Sequence, residues 1–203
     1  MQLSNPLHLY DAISVGNFER TKFFIENSSI DPTLYDYLCT AAIYSGNIDI
    51  LNFLIIKGFC INYNYDDEII VQALSKVVHT NNHAMISYLY NIISHNDIIM
   101  HLAEIAWDTG NVFITRIIID MTNEFKFTEI EDLLSVIKKG HSDLIQIWFG
   151  YNRNILHMKE NEYYRVIQSC KKDAVLFHQS QCLKVMNDIE TVFINHIQNK
   201  HKI

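Results

Sequence analysis

Five segments of this 203-residue chain align without gaps: SVGNFERTKFFIEN, YSGNIDILNFLIIK, HTNNHAMISYLYNI, DTGNVFITRIIIDM and KKGHSDLIQIWFGY. Their anchors are Gly16, Gly46, Asn81, Gly110 and Gly140, separated by 30, 35, 29 and 30 residues. Self-similarity at such a period constrains a chain more than local propensity does, because the fold must repeat with it. Glycine and asparagine best tolerate the left-handed conformation in which many helices end. After each anchor an apolar stripe runs at spacings of three and four, as in Ile50, Leu51, Phe53 and Leu54, or Leu144, Ile145, Ile147 and Trp148. Those offsets share one helical face. Four residues before each anchor stand Ala12, Ala42, Val77, Ala106 and Val136, small or β-branched side chains that let a neighbouring helix approach. The predicted unit is helix, tight turn, helix and a longer connection. Such short pairs cannot bury both faces alone and must stack. The expected fold is all-α, a solenoid of five to six helix-turn-helix repeats, since no sustained period-two alternation suggests strands.

The array is expected over residues 1–160, with an atypical capping repeat of the same domain over 161–203. In that sixth unit Glu162–Ser169 is the expected first helix and Val175 onward the second. Lys171-Lys172-Asp173 stands at the expected turn, 31 residues after Gly140. Terminal repeats depart from the pattern because their outer face meets water. The final NKHKI is polar and is expected to fray.

Composition narrows the function classes. Only 2 Pro and 6 Gly disfavour a turn-rich β-sandwich. A formal charge of -7 gives no basic face by count, so no nucleic-acid partner is expected. Apolar runs such as Phe53–Ile56 are too short for a bilayer, and the N-terminus does not read as a secretory signal. The expectation is a cytoplasmic protein without a membrane partner. Cys39, Cys60, Cys170 and Cys182 lie too far apart for zinc-finger or redox spacing and are expected to be buried free thiols.

Ala41-Ala42-Ile43-Tyr44-Ser45-Gly46-Asn47-Ile48-Asp49-Ile50-Leu51-Asn52-Phe53-Leu54-Ile55-Ile56-Lys57-Gly58 looks like A-A-x-x-G-H/N-x-x-[IV]-[VL]-x-x-L-L-x-x-G, and Phe59-Cys60-Ile61-Asn62 resembles A-D-[IV]-N. On these residues the chain resembles the ankyrin-repeat superfamily. The other units keep the turn and the stripe only. Pro6-Leu7-His8 lies two residues out of register for the T-P-L-H opening, which is otherwise missing. Degenerate repeats rich in Ile, Asn, Tyr and Phe resemble ankyrin-related proteins of large cytoplasmic DNA viruses, in the style of the multigene-family proteins of African swine fever virus. An effector of an intracellular bacterium is the alternative setting. The repeat, together with the lack of any catalytic constellation, leads to the expectation of a non-enzymatic protein-interaction module. The viral resemblance implies that it binds a host protein in the host cytoplasm and modulates innate immune signalling.

No catalytic residue, metal or cofactor is expected. His79 and His83 have a zinc-compatible spacing, but the predicted turn at Asn81-Asn82 separates them, and no H-E-x-x-H occurs. Cys39 and Cys170 are the candidate nucleophiles, and Cys39 falls where a small core residue is expected. Glu129/Glu131 and Asp66/Asp67 read as solvated or first-turn charges. Trp107 and Trp148 occupy packed positions of the repeat. The candidate partner-binding residues are Tyr63, Tyr65, Asp66 and Asp67, in the connection leading to Glu68, where tyrosine offers contact area at low entropic cost. A second reading is a structural or adaptor subunit docking through C-terminal helices that carry Val175, Leu176, Phe177, Leu183, Val185, Met186, Val192, Phe193 and Ile197.

Overall fold

A computed structural model describes residues 6–61, 68–92, 96–123, 127–151 and 160–200. Among these residues the chain is all-helical, with no strand. The helices are α1 (Pro6–Ser14), α2 (Phe18–Asn27), α3 (Tyr35–Ser45), α4 (Ile48–Ile56), α5 (Glu68–His79), α6 (His83–Ile92), α7 (Asn96–Asp108), α8 (Val112–Thr122), α9 (Ile130–Lys139), α10 (Ser142–Tyr151), α11 (Glu160–Leu176) and α12 (Ser180–Lys200). A 3-10 turn, Pro32–Leu34, leads into α3.

The Gly-Asn pairs shape both helices that they join. Gly16, Gly46 and Gly110 have φ of 71, 74 and 73°, and Gly140 has 82°; Asn81 takes the same left-handed conformation at 52°. At Gly46 the backbone N–H donates to the Ile43 carbonyl, and the Asn47 N–H to the Ala42 carbonyl. Gly16, Asn81 and Gly140, each with the residue after it, repeat both bonds. This satisfies carbonyls that the helix end would leave without partners. The asparagine then opens the next helix. Asn17, Asn47, Asn82 and Asn111 each accept a hydrogen bond on the side-chain oxygen from the backbone N–H three residues on, at 3.0–3.1 Å. Such an N-cap contributes about 1 kcal/mol over alanine.

A sixth turn of the same form lies at His178, φ 56°, and not at Lys171-Lys172-Asp173. The His178 N–H donates to Val175 and the Gln179 N–H to Ala174. The expected break fails because Cys170 and Ala174 are both buried, four residues apart on one helical face. α11 therefore runs straight through the lysines. Ala174 stands four residues before the turn, as Ala12, Ala42, Val77, Ala106 and Val136 do, and all six are buried.

The chain forms two compact units, Met1–Ala106 and Trp107–Ile203. In the first, α1 packs on α2 and α3, α3 on α4 and α5, α2 on α4, and α5 on α6. First helices thus stand beside first helices, and second beside second. Its interior includes Ile13, Leu38, Ile43, Leu51, Leu54, Leu74, Ile86 and Leu89. In the second unit α9 packs on α10 and α11, and α12 packs on α10 and α11. Val166, Ile167, Cys182, Val185, Met186 and Phe193 join Leu133, Ile137, Leu144 and Trp148 in one core. The last helix pair is therefore built into that core. Its water-facing side carries Glu162, Arg165, Lys172, Lys184 and Asp188 together with the exposed apolar residues Tyr164 and Ile194. Of the proposed docking residues, Val185, Met186 and Phe193 are buried in this core, while Val175, Leu176, Phe177 and Val192 are exposed.

Candidate interaction surface

Within each unit, the residue after a turn also reaches back toward the preceding one: Asn47 and Asn82 in the first, His141 and Gln179 in the second. In the first unit Asn47 Nδ2 donates to the Gly16 carbonyl at 3.2 Å. The Asn82 amide nitrogen lies 3.0 Å from where a Cβ on Gly46 would stand. In the second unit His141 Nε2 lies 3.2 Å from the Asp108 carbonyl, and Gln179 Nε2 donates to the Lys138 carbonyl at 3.1 Å. A carbonyl can only accept, so the Nε2–H of His141 is the donor. The imidazole occupies the space that a side chain on Gly110 would need, and Gln179 does the same at Gly140. Glycine at these turns serves both the left-handed backbone and the close approach of the next turn. Asn, His and Gln perform one task here, a polar link between neighbouring helix pairs.

This ladder holds the first helices of the N-terminal unit in a row and sets their water-facing side chains in register. On α3, Tyr37 and Tyr44 are 38% and 44% exposed and stand seven residues apart on one face. Thr40 and Ala41 between them are small and buried. From α1, the ring of Tyr10 stacks on Tyr37 at 5.0 Å between centroids. Burial, and a hydrogen bond with Tyr10, push the Tyr37 phenol up from its ordinary value. From α5, the ammonium of Lys76 sits 3.8 Å over the centre of the Tyr44 ring. Exposed Leu7 and Asp11 complete the α1 side.

Charge is divided unevenly between the units. Residues 1–106 hold eleven Asp or Glu against four Lys or Arg, while residues 107–203 hold twelve of each. The whole formal charge of -7 thus belongs to the N-terminal unit. Helices α1, α3 and α5 contribute Asp11, Asp36 and Glu68, against Lys76 as their single Lys or Arg.

The sequence candidates fall elsewhere. Tyr63, Tyr65, Asp66 and Asp67 lie outside the described residues; Glu68 begins α5 and accepts a hydrogen bond from Gln72. His79 ends α5 and His83 begins α6, with left-handed Asn81 between them. Among the described residues, no group of three or more His, Cys, Asp or Glu is arranged to hold a metal ion. Burial pushes the thiols of Cys39 and Cys170 up to about 12, far from thiolate chemistry. Cys182 is buried too, but Cys60 is exposed, so the expectation of four buried thiols fails there. It follows Phe59, whose ring packs inward on Tyr35 while the next residue faces water. Trp107 is packed on Phe127 at 4.4 Å, and Trp148 lies in the core. An open cleft of about 430 Å³ between α8 and α10 is lined by Arg116, Asp120, Gln146, Ile147, Gly150 and Tyr151. Among the described residues no helix is long and apolar enough to cross a membrane.

Sequence reasoning missed Tyr37 and Tyr44. Their spacing of seven was visible, but nothing in one sequence told an exposed helical face from a buried one. Comparison with protein families, with characterised proteins and with solved structures gives no match.

Proposed function

We propose that the chain is a protein-interaction module built as a solenoid of degenerate ankyrin-like repeats, and that it has no catalytic role. One observation supports this most: the same turn recurs six times, and in both units the residue after it links back to the preceding turn. Turns tied in this way line up helices so that equivalent side chains form a continuous surface, which is how repeat proteins make binding faces. The partner is a protein. With the resemblance to ankyrin-related viral proteins comes the narrower proposal of a host-cell partner in innate immune signalling, reached in the cytoplasm.

Affinity purification of the full chain from host cells tests this reading, repeated with a chain carrying Tyr63→Ala and Tyr65→Ala. A protein recovered stoichiometrically with the unaltered chain is the expected result. Repeated recovery of no protein partner sinks the reading.

A further inference from the structure

We propose that the water-facing side of α1, α3 and α5 binds a basic, arginine-bearing segment of a partner protein. The inference rests on the interaction reading above and names the chemistry of its partner. Three observations meet on this face.

The first is its aromatic content. Tyr37 and Tyr44 stand on one line of α3, with only the small, buried Thr40 and Ala41 between them. Tyrosine side chains present large, stiff surfaces whose ordering costs little entropy, and they are enriched where proteins recognise one another. The second is charge. The N-terminal unit carries the whole net charge, and these three helices add acidic residues with one basic counterpart. A field of that sign draws cationic segments and repels acidic ones. The third is a contact within the protein that performs the proposed chemistry. Lys76 places its ammonium over the face of Tyr44. The face of a tyrosine ring is electron-rich and attracts a cation. Lys76 thus holds a place that an incoming guanidinium, planar and less strongly hydrated, would fill better.

At the equivalent positions of the other unit, nine and two residues before the turn, α9 carries Glu131 and Lys138 and α11 carries Ser169 and Leu176, none of them aromatic. The nearest contact of the same kind is Lys138 at 5.7 Å from the centre of the exposed Phe177 ring, beside the turn. An arginine segment would meet a mixed-charge surface there, which separates this proposal from general attraction to an acidic protein.

The test uses the full chain and a fluorescently labelled oligo-arginine peptide, with an oligo-glutamate peptide of equal length as control, at physiological ionic strength. Binding of the first and not of the second is expected. The Tyr37→Ala/Tyr44→Ala chain should bind roughly tenfold more weakly. Asp49→Asn, a charge removed from the second-helix row, should weaken binding by less than about twofold. Because the double variant also loses the Tyr10 stack, a second arm leaves both tyrosines in place. Lys76→Gln uncovers the Tyr44 ring and should tighten binding several-fold beyond Lys22→Gln, which makes the same change of charge on α2. Unchanged binding by the tyrosine variant, equal effects of the two lysine variants, or binding of both peptides alike overturns the proposal. Failure of oligo-arginine to bind overturns it too, while the interaction reading continues to rest on partner recovery from cells.

Discussion

Nine and two residues before the turn, the N-terminal unit places Tyr37 and Tyr44 where the C-terminal unit has Glu131 and Lys138. The turns that follow are nearly superimposable in their hydrogen bonds: Gly46 and Asn47 donate to Ile43 and Ala42, Gly140 and His141 to Ile137 and Val136. The helix interiors agree as well, since Ala42, Ile43, Val136 and Ile137 are all buried. One backbone solution therefore carries two chemically distinct surfaces. The positions that make the fold are constrained by burial and by left-handed φ. Those that make the surface are free to differ, and in the first unit they have become aromatic beneath a net negative charge. The two units also close differently. The second ends in long helices whose apolar residues complete its core, with Lys171 and Gln168 both donating to Glu190 across the pair.

The largest expected effect is in the cores, and it asks whether the two units are energetically separate. Met186 and Leu54 are both fully buried. Met186→Ala and Leu54→Ala should each cost about 2–5 kcal/mol, the transfer and cavity terms of a large-to-small change. Trp107 and Trp148 are the only tryptophans of the chain, and both belong to the C-terminal unit. Tryptophan fluorescence therefore follows that unit, while far-UV circular dichroism follows both. In urea titrations, Met186→Ala should lower the fluorescence midpoint. Leu54→Ala should lower the dichroism midpoint and leave fluorescence unmoved. If both probes shift together in both variants, the halves unfold as one and the comparison fails.

Smaller effects are expected at the turns, where the units differ in what presses on the glycine. At Gly58, φ 89°, an added Cβ would meet nothing within 4 Å, so Gly58→Ala should cost only the left-handed backbone term of roughly 1–2 kcal/mol. At Gly46 the Cβ would meet the end of the Asn82 side chain at 3.0 Å, which must give by a few tenths of an ångström while it caps α6 through the Met85 N–H. At Gly110 it would land in the imidazole of His141. Gly110→Ala must displace that ring and break its bond to Asp108, adding about 0.5–1.5 kcal/mol. The expected order of cost is Gly110, then Gly46, then Gly58. On a His141→Ala background, Gly110→Ala should fall to the cost at Gly58. An unchanged cost there would show that the ring is not what makes Gly110 intolerant.

The turns were legible in the sequence because φ near +70° admits few residues, and Gly-Asn names both the helix that ends and the helix that begins. His178 was hidden for the same reason. Histidine enters the left-handed region often enough to be tolerated there, but too rarely to signal it. Ala174 and Gln179 on either side were the better markers, and they acquire meaning only once Asn47 and His141 are seen to reach backward. The tyrosine face was not legible at all. Tyr37 and Tyr44 are exposed while Thr40 and Ala41 on the same helix are buried, a division set by how α1 and α5 flank α3. Periodicity within one helix carries no trace of its neighbours. The same limit applied at the C-terminus. The apolar residues of α12 were visible, but whether they faced their own unit or a partner depended on α10 and α11.

Acid should separate the units by the order in which they weaken, the subtlest of these effects. His101 on α7 is buried, and that burial holds its imidazole below the ordinary histidine value, with Glu104 pulling weakly the other way. The unfolded chain then takes up a proton that the fold resists. Stability from the N-terminal unit is full above the ordinary value of about 6.5 and declines as pH falls below it. Glu190 in the C-terminal unit is held below the ordinary carboxylate range, chiefly by its hydrogen bond from Lys171. Its contribution is full above that range and is lost as pH falls through its folded value. Asp132 in the same unit is pushed up by burial, so protonating it relieves the fold and partly offsets the loss at Glu190. The first unit should accordingly weaken in the histidine range and the second only in the carboxylate range. Urea midpoints measured along a pH series with the same two probes read this directly. His101→Gln should flatten the dichroism profile around pH ~6 and leave fluorescence unchanged. Glu190→Gln should flatten the fluorescence profile below pH ~5 and leave the upper range alone. One group can tilt such a curve by at most about 1.4 kcal/mol per pH unit, so a steeper fall in either range would point to several groups titrating together. An unchanged histidine-range slope in the His101→Gln chain would remove the acid-sensitive core from the N-terminal unit and leave the two units distinguished by their surfaces alone.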